Sequence, residues 1–204
     1  MNKKLSLLWA TKNKNDEWWS SFITSPLAIA INFVVVDFRW LTPNMITLLS
    51  FITAIISGLF IIAGGTVNFI IAAALIHLSH VLDCMDGQMA RYRSTSSLSG
   101  GFFDKLTDQI QVTIWFGSVG YAVYIQSQNV LPIFLAFIGV TFYSLRGYVK
   151  YVAIYTQMSR DSRYLEKLSS KTPRINQRET AGLGFGVLAN LLWFVGKQRK
   201  ILLF

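Results

Sequence analysis

The sequence predicts an all-α, polytopic transmembrane helical bundle of five to six spans, preceded by an N-terminal interfacial amphipathic helix. Three observations lead there. Hydrophobic residues make up 52% of the 204 positions. Charged residues make up only 14%, well below the usual quarter of a soluble domain. Apolar stretches long enough to cross a bilayer as helices recur between short polar segments.

Residues 1–43 form a cytoplasmic segment with the interfacial helix, and residues 44–204 one transmembrane domain. No cleavable signal peptide is evident, because the apolar run after Lys3 and Lys4 is short and soon meets Lys12, Lys14, Asp16 and Glu17. From Asp16 to Trp40 the chain is apolar with tryptophans at both ends, which suits the membrane interface. Pro26, Asn32 and Asp37 interrupt that run and leave it short for a span. Thr42 or Asn44 can cap the next helix, with Pro43 in or before its first turn.

The first span runs from Met45 to Ala63 and stops at Gly64-Gly65. The second is Val67 to Ala90 and the third Gly101 to Ile125. The fourth, Val130 to Tyr155, carries Arg146 and Lys150 four apart on one face. A polar loop with six basic residues follows over 156–178, then a short, glycine-rich fifth span from Thr180 to Val195. The basic N-terminus, the Arg91–Arg93 turn and the 156–178 loop face the cytoplasm, opposite the uncharged turns at 64–68 and 126–129. Five spans would leave the basic C-terminus outside, so either residues 16–40 also span or ILLF begins a last helix.

The net charge of +9 does not point to nucleic acid. The basic residues cluster at the ends of apolar segments, where they meet lipid headgroups. A single cysteine, Cys84, excludes an internal disulfide and reads as a packing residue.

Four of the ten acidic residues lie between Asp83 and Asp108. Ionisable groups are costly inside a membrane, so such a cluster marks a functional site. Asp83 and Asp86 are three apart, Asp104 and Asp108 four apart, and each spacing puts both carboxylates on one helix face. The polar stretch RYRSTSSLSGG between them reads as a turn, giving a hairpin whose arms aim carboxylates at each other. Four such groups repel, and divalent cations remove the conflict. Hard oxygen ligands favour Mg²⁺ or Mn²⁺, and two ions about 4 Å apart would clamp a phosphoryl group. Gly87 and Ala90 leave a shallow floor, and the fork of Arg91 suits phosphate oxygens. The milder readings are helix-pairing contacts for a lone Asp, close packing for Gly87 and Ala90, and an interfacial flank for Arg91.

Asp83-x-x-Asp86-Gly87-x-x-Ala90-Arg91, eight residues, Gly100-x-x-x-Asp104-x-x-x-Asp108 resembles the signature of the CDP-alcohol phosphotransferases, integral-membrane enzymes that make phospholipids and related phosphodiesters. A Thr-Pro-Asn-x-x-Thr element before the first span resembles them as well. The resemblance implies that Asp83, Asp86 and Asp104 hold two Mg²⁺ or Mn²⁺ ions, with Asp108 a ligand of the second ion, the general base for the acceptor hydroxyl, or both. It implies that Gly87, Ala90, Arg91 and Gly100 meet the diphosphate and that Asn44 and Thr47 touch the nucleotide end. It implies a homodimer, a CDP-alcohol donor, an alcohol acceptor and release of CMP at the cytoplasmic face of the cell membrane. The family usually has six spans, and the five counted here depart from that.

The donor expected is CDP-diacylglycerol or an archaeal equivalent, with a soluble donor such as CDP-inositol and an inositol-phosphate or lipid acceptor as the alternative. Arg146 and Lys150, and beyond them Arg174 and Arg178, are candidates to bind an anionic acceptor or else plain interfacial cations. His80, three before Asp83, joins the site or, like His77, makes a hydrogen bond between helices. The rival class is a cation- or proton-coupled transporter. No second copy of the acidic pattern supports that rival.

Overall fold

The computed structural model describes residues 3–12, 18–161 and Arg163. Among these, every regular element is helical: α1 (Lys3–Ala10), α2 (Ser25–Val35), α3 (Pro43–Ala63), α4 (Thr66–Tyr92), α5 (Leu98–Ser127) and α6 (Leu131–Arg160), with a single π-helical stretch, Ser20–Thr24, leading into α2. The fifth span expected over 180–195, and Arg174 and Arg178, lie outside the described residues.

Helices α3 to α6 run alternately up and down, so one end of the bundle collects Pro43, Tyr92, Leu98 and Arg160. That end carries the arginines, and the opposite turns carry no charge. Local chemistry sets each boundary. Thr42 caps α3, its hydroxyl accepting from the Met45 amide at 3.3 Å, and Pro43 sits in the first turn, where its missing N–H costs nothing. Gly64 (φ 68°) and Gly65 (φ 84°) end α3 in a left-handed turn that side-chain-bearing residues rarely adopt. Ser97 caps α5 by accepting from Gly100 N at 3.0 Å. The two glycines expected to close the 91–101 turn therefore lie in the first helical turn of α5 instead.

Helices α3, α4 and α6 are each long and apolar enough to cross a membrane. Helix α5 has 30 residues, ample for a span, but Asp104, Lys105 and Asp108 occupy its basic end. Of the five to six spans expected, three are thus met by length and apolar composition among the described residues, with α5 packed between α3 and α6 beside them.

Helix α3 packs closely along both α4 and α5, and α6 packs on α5. The buried side of α3 is a stripe of small residues: Thr47, Ser50, Ala54, Ser57, Gly58. Small residues let helix axes approach closely in a membrane. A Cβ on Gly58 would stand 2.7 Å from Ile114 Cγ2 and 2.9 Å from Ser118 Oγ, so no larger residue fits there unless α5 moves. Polar bonds tie the stripe to its neighbours. Ser50 Oγ donates to Ser79 O at 2.9 Å, and Trp115 Nε1 donates to Ser57 Oγ at 2.8 Å.

The N-terminal segment is bonded to the bundle. Asn32, expected to interrupt the apolar run, is fully buried inside α2 and holds that helix to α4. Its amide donates to Met85 O at 3.0 Å and Gln88 Oε1 at 3.2 Å, and Gln88 Nε2 donates to Ser25 O at 3.2 Å. Pro26 starts α2 rather than breaking it. The Ser20–Val35 helix is shorter than a span, in keeping with an interfacial element. Leu8, Ile29, Ile46, Met85 and Met89 close the apolar core beneath it.

Gly58→Leu should therefore lower the thermal unfolding midpoint in detergent, through an overpacking cost of about 1–3 kcal/mol. Size-exclusion after a temperature series checks this, and Leu59→Ala on the exposed side of α3 should shift the midpoint far less.

Candidate active site

The site lies between α4 and α5, with α3 behind it. Helix α4 contributes Asp83, Asp86, Gly87, Ala90 and Arg91, and α5 contributes Gly100, Asp104 and Asp108. Carboxylate oxygens of Asp83, Asp104 and Asp108 come within 4.8 Å of one another. Asp86 is held out of that trio: the Thr47 hydroxyl donates to its Oδ2, and it is 5% exposed. Three of the four predicted acids thus converge, and the fourth stands beside them, anchored from α3.

Two features of the trio suit a divalent cation. Asp83 Oδ1 is buried with no hydrogen-bond partner among the described residues. The ligand atoms are hard carboxylate oxygens at a spacing one ion can span. Lys105 Nζ also sits here, 2.8 Å from both Asp104 Oδ2 and Asp108 Oδ2, and offsets part of the negative charge. Asp83, Asp104 and Asp108 could hold one ion, and Asp86 with Asp104 could reach a second from the adjoining cavity.

That cavity, about 540 Å³, opens at the basic end of the bundle. Its walls include Asn44, Thr47, Asp86, Gly87, Ala90, Arg91, Gly100 and Asp104, so the predicted donor-contacting residues from three helices meet in one space. A Cβ on Gly87 would lie 3.2 Å from Arg91 Nη1, so glycine there leaves the guanidinium its place. Arg91 Nε donates to Thr11 O at 2.7 Å, which aims the rest of the fork at the cavity.

Two more arginines line this cavity, Arg39 and Arg93, and the sequence reading named neither as a ligand. Arg93 is a clamp: it donates to Val36 O, Phe38 O and Leu41 O at 2.6–2.9 Å. These bonds fix the α2–α3 connection that carries Arg39 and Thr42 to the rim. Their signal was a second and third arginine at the same end of the bundle as Arg91.

A second, smaller cavity of about 130 Å³ lies deeper, lined by His80, Asp83, Asp108, Gln111, Val112, Trp115 and Tyr143. Asp86 and Asp104 line the outer cavity and Asp83 and Asp108 the deeper one, so the close-set carboxylates stand where the two cavities adjoin. His80 packs against Trp115 with tilted rings (centroids 5.4 Å apart), and His77 against Trp19 likewise (5.3 Å). Arg146 and Lys150 are exposed on α6, on the face of Tyr143 and nearer the basic end, and line neither cavity. Cys84 packs against the core, with Sγ 3.4 Å from Thr24 Oγ1.

The profile of the CDP-alcohol phosphatidyltransferase family matches residues 40–195. The chain belongs to this family. A bifunctional IPC transferase and DIPP synthase of Thermococcus kodakarensis is 27% identical over 120 residues, an alignment that covers 59% of this chain and 26% of that relative.

Removing the hydroxyl that anchors Asp86 should loosen the carboxylate without removing it. Thr47→Val is expected to weaken Mn²⁺ binding by about tenfold or more at unchanged fold. Titration calorimetry on detergent-solubilised protein checks this, with Thr113→Val, on the exposed face of α5, as control.

Proposed function

We propose that this protein transfers a substituted phosphate group from a CDP-alcohol to an acceptor alcohol and releases CMP. The observation that carries the reading is the convergence, at one end of the bundle, of three carboxylates with a cavity walled by glycines, alanine and arginines. Family membership supports it.

The residues divide the work as follows. Arg91, and Arg39 at the rim, bind the diphosphate and share its negative charge. Gly87, Ala90 and Gly100 let the diphosphate approach the helix backbones. Asn44 and Thr47 meet the nucleotide end. Asp83, Asp86, Asp104 and Asp108 would hold Mg²⁺ or Mn²⁺, which when bound polarises the phosphoryl oxygens and stabilises charge on the leaving group. Asp108 accepts the proton of the acceptor hydroxyl. The acceptor oxygen bonds to the phosphorus that carries the donor alcohol. The anhydride bond from that phosphorus breaks, and CMP leaves with the bridging oxygen and the electron pair.

The donor is CDP-diacylglycerol or an archaeal equivalent, because the cavity opens at the basic, headgroup-facing end of an apolar bundle. The positive-inside rule places that end in the cytoplasm. A second reading takes a soluble donor such as CDP-inositol with an inositol-phosphate or lipid acceptor, and the similarity to an IPC transferase and DIPP synthase favours it. Residues 1–43 act as the cytoplasmic and interfacial segment and 44–204 as the membrane domain, and the active form is a homodimer.

The test is CMP release in nanodiscs with CDP-diacylglycerol or CDP-inositol, Mg²⁺ or Mn²⁺, and serine, glycerol 3-phosphate, inositol or inositol phosphate in turn. Metal-dependent release with one donor–acceptor pair is expected. Asp108→Asn should cut it by about 10²-fold or more while the protein stays folded. Release at the wild-type rate from that variant would overturn the base assignment. Gradient-driven uptake without CMP would identify a transporter instead.

A further inference from the structure

The deep cavity is built for a ligand that no assignment above accounts for. It lies beyond the carboxylates as seen from the basic mouth, and Trp115 on its wall is seven residues, about 10 Å, farther along α5 than Asp108. Its polar lining is incompletely satisfied. Gln111 is 4% exposed, and its Oε1 accepts from Ser79 Oγ at 2.9 Å. The Gln111 Nε2 has no partner among the described residues. A buried amide N–H without an acceptor is costly, so such a group calls for a ligand oxygen.

Resting on the phosphotransfer reading, we propose that this cavity receives the hydroxyl-bearing end of the acceptor alcohol. Size and chemistry agree on the class of occupant. A volume of about 130 Å³ equals roughly four waters, enough for the edge of a small polyol and too little for a nucleotide. Two carboxylates on the wall accept hydrogen bonds from hydroxyls and repel phosphates. The Gln111 amide donates to a second oxygen of the same molecule. Trp115, His80 and Tyr143 give the cavity an aromatic lining for its C–H surface.

The placement also satisfies the direction of displacement. CDP occupies the outer cavity, beside Asp86 and Asp104, and the attacking hydroxyl lies on the inner side, beside Asp83 and Asp108. The new phosphorus–oxygen bond forms from the deep side. The anhydride bond breaks toward the mouth, where CMP departs, and the hydroxyl proton passes to Asp108. Nucleophile and leaving group thus stand on opposite sides of the reacting phosphorus, as an in-line transfer requires.

The test separates acceptor from donor. Gln111→Leu removes the amide, and Val112→Phe reduces the cavity volume while every carboxylate stays in the chain. Both are assayed in nanodiscs with the donor and acceptor that support wild-type CMP release, varying each in turn. The acceptor KM is expected to rise about tenfold, while the donor KM and CDP affinity by calorimetry stay within about twofold. Retained CDP affinity shows that a variant is folded, and a variant without it is replaced by Val112→Leu. An unchanged acceptor KM, or equal rises for donor and acceptor, would overturn the assignment while leaving the phosphotransfer reading intact. Absence of CMP release from wild type, with every pair, would overturn both.

Discussion

Everything in this bundle depends on how closely α3 approaches α4 and α5. Carboxylates on two different helices meet within one ion's reach only if a third helix fixes the separation of those two. Apolar burial cannot do this alone, because lipid competes for apolar surfaces. The small residues of α3 can, since at Gly58 a side chain would displace α5. Ser50, Ser57 and Thr47 then add directional bonds at three heights along the helix. Thr47 shows the economy of the arrangement, because one hydroxyl packs α3 on α4 and also fixes a site carboxylate.

The same logic extends outward from the site. Ser79 receives from α3 and donates to Gln111 on α5, so a polar thread crosses all three helices just beneath the carboxylates. Above them, Arg93 gathers three carbonyls of the α2–α3 connection, and Arg91 is steadied by Thr11. The N-terminal segment therefore belongs to the site as well as to the core. It supplies backbone oxygens that hold two arginines in fixed directions.

The helices and the acidic cluster were legible from the sequence because their signals are local. Apolar length, Thr42-Pro43, Gly64-Gly65 and the three- and four-residue spacings of the aspartates all act within a turn or two. Gly100-Gly101 was misplaced because Ser97, three residues earlier, caps α5, and a cap outweighs the turn tendency of glycine. Asn32 read as an interruption because its partners, Met85 and Gln88, are more than fifty residues away. Lys105 was passed over because a lysine at the basic end of a span usually serves the headgroups. Its second role shows only when Asp104 and Asp108 are seen turned toward it. Gln111 likewise needed the fold, since one glutamine in a span says nothing of which groups surround it.

The position of α3 in the chain has a bearing on how the protein is made. During synthesis α3 enters the bilayer before α4 and α5, which bring the aspartates. Each acidic helix then meets a partner already in place, offering hydroxyls and a groove lined by small side chains. Charged groups that would otherwise face lipid alone gain a polar neighbour on arrival. The order of emergence from the ribosome thus runs parallel to the order of dependence in the finished bundle, and the translocon has no bare acidic hairpin to hold.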